Sequence, residues 1–157
     1  GLNLMTTIKH PEIKVFVDAD VLFAGAASPS ERSASLLILR LSEITLLEAL
    51  TSERVLIESQ RNLELKLPQV LPAFNHLVSR CLRVVPEPWS AEQEELEGLA
   101  HAGDRHVLAA AVREECPWLV TFNTRHFDPG HPDVTACTPG EFIRGVRVQL
   151  SHLKTDR

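Results

Sequence analysis

Residues 15–22 read Val-Phe-Val-Asp-Ala-Asp-Val-Leu, and this stretch, with Ile13 and Lys14 before it, decides the fold prediction. The run from Ile13 to Asp18 is short, rich in β-branched residues and ends at an acid, which is typical of a buried strand. In open parallel sheets, functional sites form outside the carboxyl ends of the strands. We therefore predict a core strand over residues 13–18, with Asp18 at a functional edge of the sheet.

Strands and helices alternate along the rest of the chain. We predict further strands at 44–47, 81–85, 118–122 and 134–137. Helices are predicted from 33, from 51 or 52 to 66, over 69–80, from 90, after 104 and from 139. Gly25 and Ser28-Pro29-Ser30 indicate a loop, as do residues 123–133. This alternation favours an α/β fold, a three-layer α/β/α sandwich around a mostly parallel sheet.

The length of 157 residues predicts one domain, which we place at residues 13–150. Residues 1–12 are expected to be an N-terminal extension whose first residues, from Gly1, are not native, and residues 151–157 a frayed tail. The chain has no 18-residue apolar run and no apolar signal core, so we expect a cytoplasmic protein without a membrane segment. Three cysteines without metal-site spacing predict buried free thiols.

The net charge of −5 argues against a broad nucleic-acid-binding surface, but it leaves room for an acidic pocket that holds cations. Four side chains are candidates for such a pocket: Asp18 and Asn123 after strands, Glu58 within a helix and Asp104 at a helix start. Clustered carboxylates are tolerated when a hard cation sits among them, and Mg²⁺ or Mn²⁺ held in this way activates water against a phosphodiester. Zinc is not expected, because no His/Cys set has zinc spacing.

Four blocks of sequence follow one another in order. The opening strand ends at Asp18; Thr51-Ser-Glu-Arg-Val-Leu-Ile-Glu ends at Glu58. Gly-Asp-Arg-His-Val-Leu-Ala-Ala-Ala, over residues 103–111, contains Asp104 and is the most specific block. Leu-Val-Thr-Phe-Asn-Thr-Arg-His-Phe, over residues 119–127, contains Asn123. Together these blocks resemble the PIN-domain family, in particular its small VapC-like toxins, over roughly residues 13–145.

Membership of that family implies a ribonuclease that depends on a divalent metal, often paired with a protein antitoxin and often a homodimer. The resemblance gives Asp18, Glu58 and Asp104 as metal ligands, and it adds Asn123 to the candidate catalytic set. The family commonly has an acid where this chain has Asn123. An amide can bind a metal or orient water but adds no charge, so a compensating role for Asp20 stays open.

Several residues near this set have two interpretations. Asp20 and Thr121 either support the site or serve the loop, and Arg105, Arg125 and His126 either contact RNA or lie on the surface. The acid that opens a helix at position 104 is also a good N-cap. The two tryptophans, Trp89 and Trp118, are predicted to lie in the core.

Two other functions compete with a nuclease. Asp18-Ala-Asp20 after an apolar strand also fits a haloacid-dehalogenase-type phosphotransferase, in which Asp18 would be the nucleophile. Against it, Lys66 lies at a helix end and no suitably placed lysine is expected. The third hypothesis is an inactive PIN-like scaffold that binds RNA or protein, and Asn123 and the negative net charge motivate it.

Overall fold

The structure is a computed structural model that describes residues 13–27 and 33–155, and its centre is a five-stranded parallel sheet. The strands are β1 (Lys14–Val17), β2 (Glu48–Ser52), β3 (Leu82–Val85), β4 (Trp118–Val120) and β5 (Thr135–Cys137). Their order is β3-β2-β1-β4-β5, and each neighbouring pair is parallel. The central strand is therefore β1, with β2 and β4 on either side.

Helices connect and cover these strands. The described residues form α1 (Ala19–Ala27), α2 (Ala34–Glu43), α3 (Glu53–Lys66), α4 (Leu71–Cys81), α5 (Ser90–Glu94), α6 (Arg105–Arg113) and α7 (Pro139–Thr155). Short 3₁₀ helices occupy Pro68–Val70, Ala102–Asp104 and Thr124–Phe127. The predicted α/β/α fold is confirmed, with a sheet that is parallel at every pairing described.

Burial along β1 shows why both faces of the sheet must be covered. Val15, Phe16 and Val17 each have 0% exposure. Successive side chains on a strand point to opposite faces, so three buried residues in a row require packing on both sides. The continuous apolar run that predicted this strand is a consequence of its central position.

The helix boundaries follow local chemistry. Ser33 and Ser52 cap α2 and α3, because their hydroxyl oxygens accept hydrogen bonds from the N–H groups of Leu36 and Val55. Pro68 follows α3 and opens a 3₁₀ turn, as its missing N–H predicts.

The loop predicted at Gly25 is wrong, since Gly25 lies inside α1. A Cβ at this position would come within 3.0 Å of Leu39 Cδ1 on α2. The glycine therefore serves close packing between two helices and does not mark a turn. The rest of that predicted loop, Ser28-Pro29-Ser30, lies outside the described residues, as do residues 1–12.

The strand predicted over 44–47 is also wrong. Ile44 ends α2, and Thr45 adopts a left-handed φ of 63°, so this segment is a helix-ending turn. The strand begins at Glu48, where pairing with Lys14 starts.

Two smaller corrections concern the second half of the chain. The predicted strand 118–122 ends at Val120, and α7 runs from Pro139 to Thr155. Trp89, predicted in the core, is 78% exposed. It precedes α5, and its backbone N–H donates to Glu92 Oε1. Trp118 packs edge-on against Phe142 at the core.

The three cysteines, Cys81, Cys116 and Cys137, are buried free thiols, as predicted. Burial raises the pKa of Cys116 to about 12 and that of Cys137 to about 11, which leaves both thiols protonated. Among the described residues, no helix is both long enough and apolar enough to cross a membrane.

Candidate active site

The carboxyl ends of β1 and β4 bring separated parts of the sequence together. Asp18 follows β1, and Asp20 lies in the first turn of α1. Thr121 and Asn123 follow β4, the neighbour of β1 in the sheet. The backbone N–H of Asp18 donates to the carbonyl of Val120 at 3.0 Å, which joins the two strand ends directly.

One cavity of about 290 Å³ collects the predicted residues. Its wall is made of Asp18, Ala19, Asp20, Phe23, Glu58, Asn62, Lys66, Asp104 and Asn123. The four residues proposed from sequence for metal binding and catalysis are all present, and Asp20 joins them. Asp18 is buried, Asp20 and Asp104 are half-buried, and Glu58 and Asn123 are exposed at the rim.

Asp18 is held by two hydrogen bonds. Its Oδ1 accepts from the N–H of Ala19 at 2.8 Å, and its Oδ2 accepts from the hydroxyl of Thr121 at 2.9 Å. Burial, and then repulsion from Asp20, raise the pKa of Asp18 to about 7, even though both hydrogen bonds lower it. Asp104 adds a smaller repulsion. The carboxyl group is therefore poised to exchange a proton, or to accept a cation, near neutral pH.

Asp20 is fixed by the loop that follows β4. Its Oδ2 accepts from the N–H of Phe122 and from Nδ2 of Asn123, both at 3.1 Å. Its Oδ1 is buried and has no partner among the described residues. Burial raises the pKa of Asp20, and Asp104 contributes a smaller repulsion.

Thr121 connects Asp18 to Asn123. Its hydroxyl donates to Asp18 and accepts from the N–H of Asn123 at 3.1 Å, and its side chain is fully buried. Asn123 is thus tied to both aspartates, through its backbone to Asp18 by way of Thr121 and through its side chain to Asp20.

Asp104 does not cap α6, although it occupies the capping position. Its Oδ2 lies 2.9 Å from Nδ1 of His126, and the ring of His126 stacks on that of His101 with centroids 4.8 Å apart. The capping interpretation of Asp104 is therefore wrong, and the carboxylate is directed by a histidine from the loop after β4.

Two residues of the cavity wall, Asn62 and Lys66, were not among the site residues predicted from the sequence, where Lys66 served only as an argument against a phosphotransferase. They follow Glu58 at four and eight residues on α3, so the three side chains lie on one helix face. Lys66 Nζ also lies 6.0 Å from the centroid of the Phe23 ring. Lys66 thus lines the same cavity as Asp18, which weakens the argument from its place at a helix end.

The three predicted RNA contacts, Arg105, Arg125 and His126, are not part of this wall. Arg125 is exposed on the 3₁₀ turn Thr124–Phe127, and Arg105 is half-buried at the start of α6. The Nε atom of Arg105 is buried without a partner among the described residues. A second cavity of about 520 Å³ adjoins the first, shares Glu58 and Asn62 with it, and includes Arg54 and Arg61.

The donors of the first cavity suit a hard divalent cation. They are carboxylate and amide oxygens, the type of ligand that Mg²⁺ and Mn²⁺ prefer, and Asp20 Oδ1 is a buried acceptor without a partner in the described chain. No three His, Cys, Asp or Glu side chains of the described ranges already stand close enough to enclose an ion. Mg²⁺ commonly keeps several waters and takes only one or two carboxylates directly, so the set fits this kind of site.

Comparisons with known proteins bear on the family and the fold of this chain. Residues 14–125 match the PIN domain family. The structure is similar to that of VapBC2 from Rickettsia felis bound to a DNA fragment from their promoter, with a TM-score of 0.60, 19% identity, and coverage of 80% of this chain and 98% of that chain. It is also similar to Mycobacterium tuberculosis VapC20, a sarcin-ricin loop cleaving toxin, with a TM-score of 0.55, 18% identity, and coverage of 76% and 98%. At these identities the likeness shows the fold. No curated protein matches the chain.

Proposed function

The chain belongs to the PIN-domain family, and from this premise we propose that it is a divalent-metal-dependent ribonuclease that cuts phosphodiester bonds. The observation that carries the proposal is the gathering of Asp18, Asp20, Glu58, Asp104 and Asn123 around one cavity at the carboxyl ends of the strands. Burial, and then repulsion from Asp20, raise the pKa of Asp18 to about 7. A cation at this place would relieve that repulsion.

Asp18, Glu58 and Asp104 would hold Mg²⁺ or Mn²⁺. When bound, the ion lowers the pKa of water and neutralises charge on the phosphate. The protein's own contribution is to hold the ligands in place. The N–H of Ala19 and the hydroxyl of Thr121 fix both oxygens of Asp18, so that this carboxylate does not have to be ordered when the ion arrives.

Asn123 is suited to orient the attacking water. Its Nδ2 is committed to Asp20, which leaves its Oδ1 as the acceptor that can take a hydrogen bond from water. Asp20 keeps its own Oδ1 free of protein partners in the described chain and supplies the negative charge that Asn123 lacks. In this arrangement, Asp20 and Thr121 support the site and Asn123 completes it.

We also propose that the protein is the toxin of a toxin–antitoxin pair, acting in the cytoplasm on an RNA substrate. The support is its fold, which is shared with the VapBC2 complex of Rickettsia felis and with the toxin VapC20. A protein antitoxin and a second copy of the chain are the partners that this proposal implies.

Calorimetric titration with Mn²⁺ tests the metal site. We expect the unmodified protein to bind and the Asp18→Asn/Asp104→Asn variant to lose binding, because two ligand carboxylates become amides. Glu64→Gln/Asp133→Asn removes the same charge from exposed positions and should bind like the parent. If the parent binds no Mn²⁺ at millimolar metal, the nuclease mechanism is wrong, and an inactive scaffold, as Asn123 would favour, becomes the better hypothesis.

RNA cleavage is the second part of the test. The parent should cleave RNA when Mn²⁺ or Mg²⁺ is present and stop when EDTA is added, and Asp104→Asn should cut the rate by a factor of a hundred or more, of the order seen on removing one electrostatic catalytic group. Full metal-dependent cleavage by Asp104→Asn would show that the ligand assignment is wrong. A covalent phosphoryl group on Asp18, or a fluoride-type phosphate mimic bound in its place, would instead identify a phosphotransferase, for which Lys66 in the cavity wall is now the favouring observation.

A further inference from the structure

The carboxylate of Asp104 depends on a single side chain for its orientation. Asp104 precedes α6, yet it accepts no hydrogen bond from the helix N–H groups. In the part of the chain that is described, the partner recorded for its oxygens is Nδ1 of His126, 2.9 Å from Oδ2. Since the carboxylate accepts, the proton of the neutral imidazole belongs on Nδ1.

The histidine is itself held on several sides. Its ring stacks on that of His101 at 4.8 Å with 28° between the planes. The N–H of His101 donates to the carbonyl of His126 at 2.7 Å, and the N–H of Asp104 donates to the carbonyl of His101 at 2.9 Å. The N–H of His126 donates to the carbonyl of Asn123 at 3.0 Å. These bonds connect the turn before α6 to the loop after β4.

We propose that His126 is a positioning residue, which fixes Oδ2 of Asp104 and so leaves Oδ1 in a defined place to meet the divalent ion. This inference rests on the proposed function and deepens it. A carboxylate free to rotate would have to be ordered when the ion binds, whereas one held by an N–H donor is ordered beforehand. His101 stacks on the ring of His126 and so helps to hold it in place, which affects Asp104 only through His126.

This role differs in its consequences from direct RNA contact. A residue that only touches RNA changes KM for RNA and leaves Mn²⁺ affinity unchanged. A residue that only stabilises the fold lowers the Tm and has no selective effect on metal. A positioning residue weakens Mn²⁺ affinity in a folded protein, and a side chain that restores the N–H donor rescues it.

The experiment is Mn²⁺ titration of the full chain by calorimetry, with the Tm of each metal-free variant measured alongside. We expect His126→Ala to weaken Mn²⁺ binding by 10- to 100-fold, the range found when such supporting partners of metal ligands are removed. His126→Asn, whose amide N–H can take the place of Nδ1–H, should recover most of that loss. His101→Ala should have an intermediate effect. His76→Ala, an exposed histidine on α4, is the matched control and should bind like the parent.

Each outcome has a defined meaning. Unchanged Mn²⁺ affinity in a folded His126→Ala overturns the inference and leaves the proposed function intact. An equal loss in His126→Ala and His126→Asn, both folded, also overturns it, because the donor would then not matter. If His126→Ala does not fold, the Mn²⁺ affinities of His126→Asn and His101→Ala decide. Affinity like that of the parent in both of these variants would then assign His126 to the fold alone. A parent that binds no Mn²⁺ refutes the proposed function and this inference together.

Discussion

At the scale of single residues, Asp18 combines burial with a carboxyl group that forms no ion pair with the described residues. Its folded pKa of about 7 lies above the ordinary value of 3.8, mainly because of burial and then because of Asp20. A raised acid pKa means that the folded state binds more protons than the unfolded state between the two values. Stability of the metal-free protein should therefore fall as the pH rises from about 4 to about 7.

Asp18→Asn should remove this penalty. Each pKa unit corresponds to about 1.4 kcal/mol, so the gain in free energy of unfolding at pH 8 has a ceiling of about 4 kcal/mol. For a chain of this size, we expect the Tm of the metal-free protein to rise by several degrees at pH 8 and by clearly less at pH 5. Thermal unfolding in EDTA, followed by circular dichroism at both pH values, measures the difference.

Glu64→Gln is the control, because its side chain is exposed and it also removes one charge. It should change the Tm little, and equally at both pH values. An Asp18→Asn protein that is less stable than the parent at pH 8 would mean that the hydrogen bonds from Ala19 and Thr121 outweigh the cost of burial and the repulsion from Asp20, contrary to the causes assigned here.

At the scale of elements, the sequence predicted best where a single local pattern determines the structure. The strand β1 was predicted from a β-branched run and the start of α3 at residue 51 or 52, and both are present, with Ser52 as the cap. The position of β2 was not predicted, since Ile44–Leu47 is as apolar as a strand and only Thr45 in its left-handed conformation ends the helix there. The helix α1 was missed because the role of Gly25 depends on its contact with Leu39, far along the chain.

The candidate site shows the same division. The acids could be selected because each has a place in an ordered set of blocks: Asp18 follows a strand, Glu58 lies within a helix and Asp104 opens one. Lys66 and Asn62 were not selected, because periodicity alone does not say which face of α3 turns towards Asp18. Their spacing from Glu58 along α3 is the one signal that could have indicated them. The pairing of His126 with Asp104 joins positions 22 residues apart through tertiary structure.

The basic residues of α3 lead to a prediction about RNA. Lys66 lines the first cavity and Arg61 the second, and Glu58 and Asn62 form the wall between them. In a chain with a net charge of −5, these two cations would contact the phosphates of an RNA strand that lies beside the cavity carboxylates. In an Asp104→Asn background that prevents cleavage, Lys66→Gln and Arg61→Gln should each weaken binding of a short polyuridine oligonucleotide.

The salt dependence of binding distinguishes the loss of a phosphate contact from a change in fold. Each lost phosphate contact should reduce the slope of log K against log salt concentration by about 0.7, which anisotropy titrations at several salt concentrations can resolve. Arg144→Gln, an exposed arginine on α7 outside both cavity walls, should leave the slope as it was. Equal slopes for all four proteins would show that RNA does not run along α3.

At the scale of the whole molecule, the parallel sheet places the charged site and the stable core at the same strands. The strands β1 and β4 that flank the site are buried after their first residues, and Asp18 and Asn123, which follow their carboxyl ends, line the cavity. The core therefore holds the carboxylates together against their repulsion. This repulsion lowers the free energy of unfolding of the metal-free protein. An ion that binds only the folded site must return stability to the whole domain.

Mn²⁺ should therefore raise the Tm of the parent. A ligand at 100 times its Kd adds about 2.7 kcal/mol to the free energy of unfolding, which for a domain of this size corresponds to roughly 5–10 °C, and EDTA should reverse the shift. Asp18→Asn/Asp104→Asn should start from a higher metal-free Tm and gain nothing from Mn²⁺. If the double variant gains as much as the parent, the ion acts on the surface generally. A higher metal-free Tm in the variant, together with a Mn²⁺-induced rise in Tm in the parent alone, is expected only when the same carboxylates both destabilise the empty fold and bind the ion.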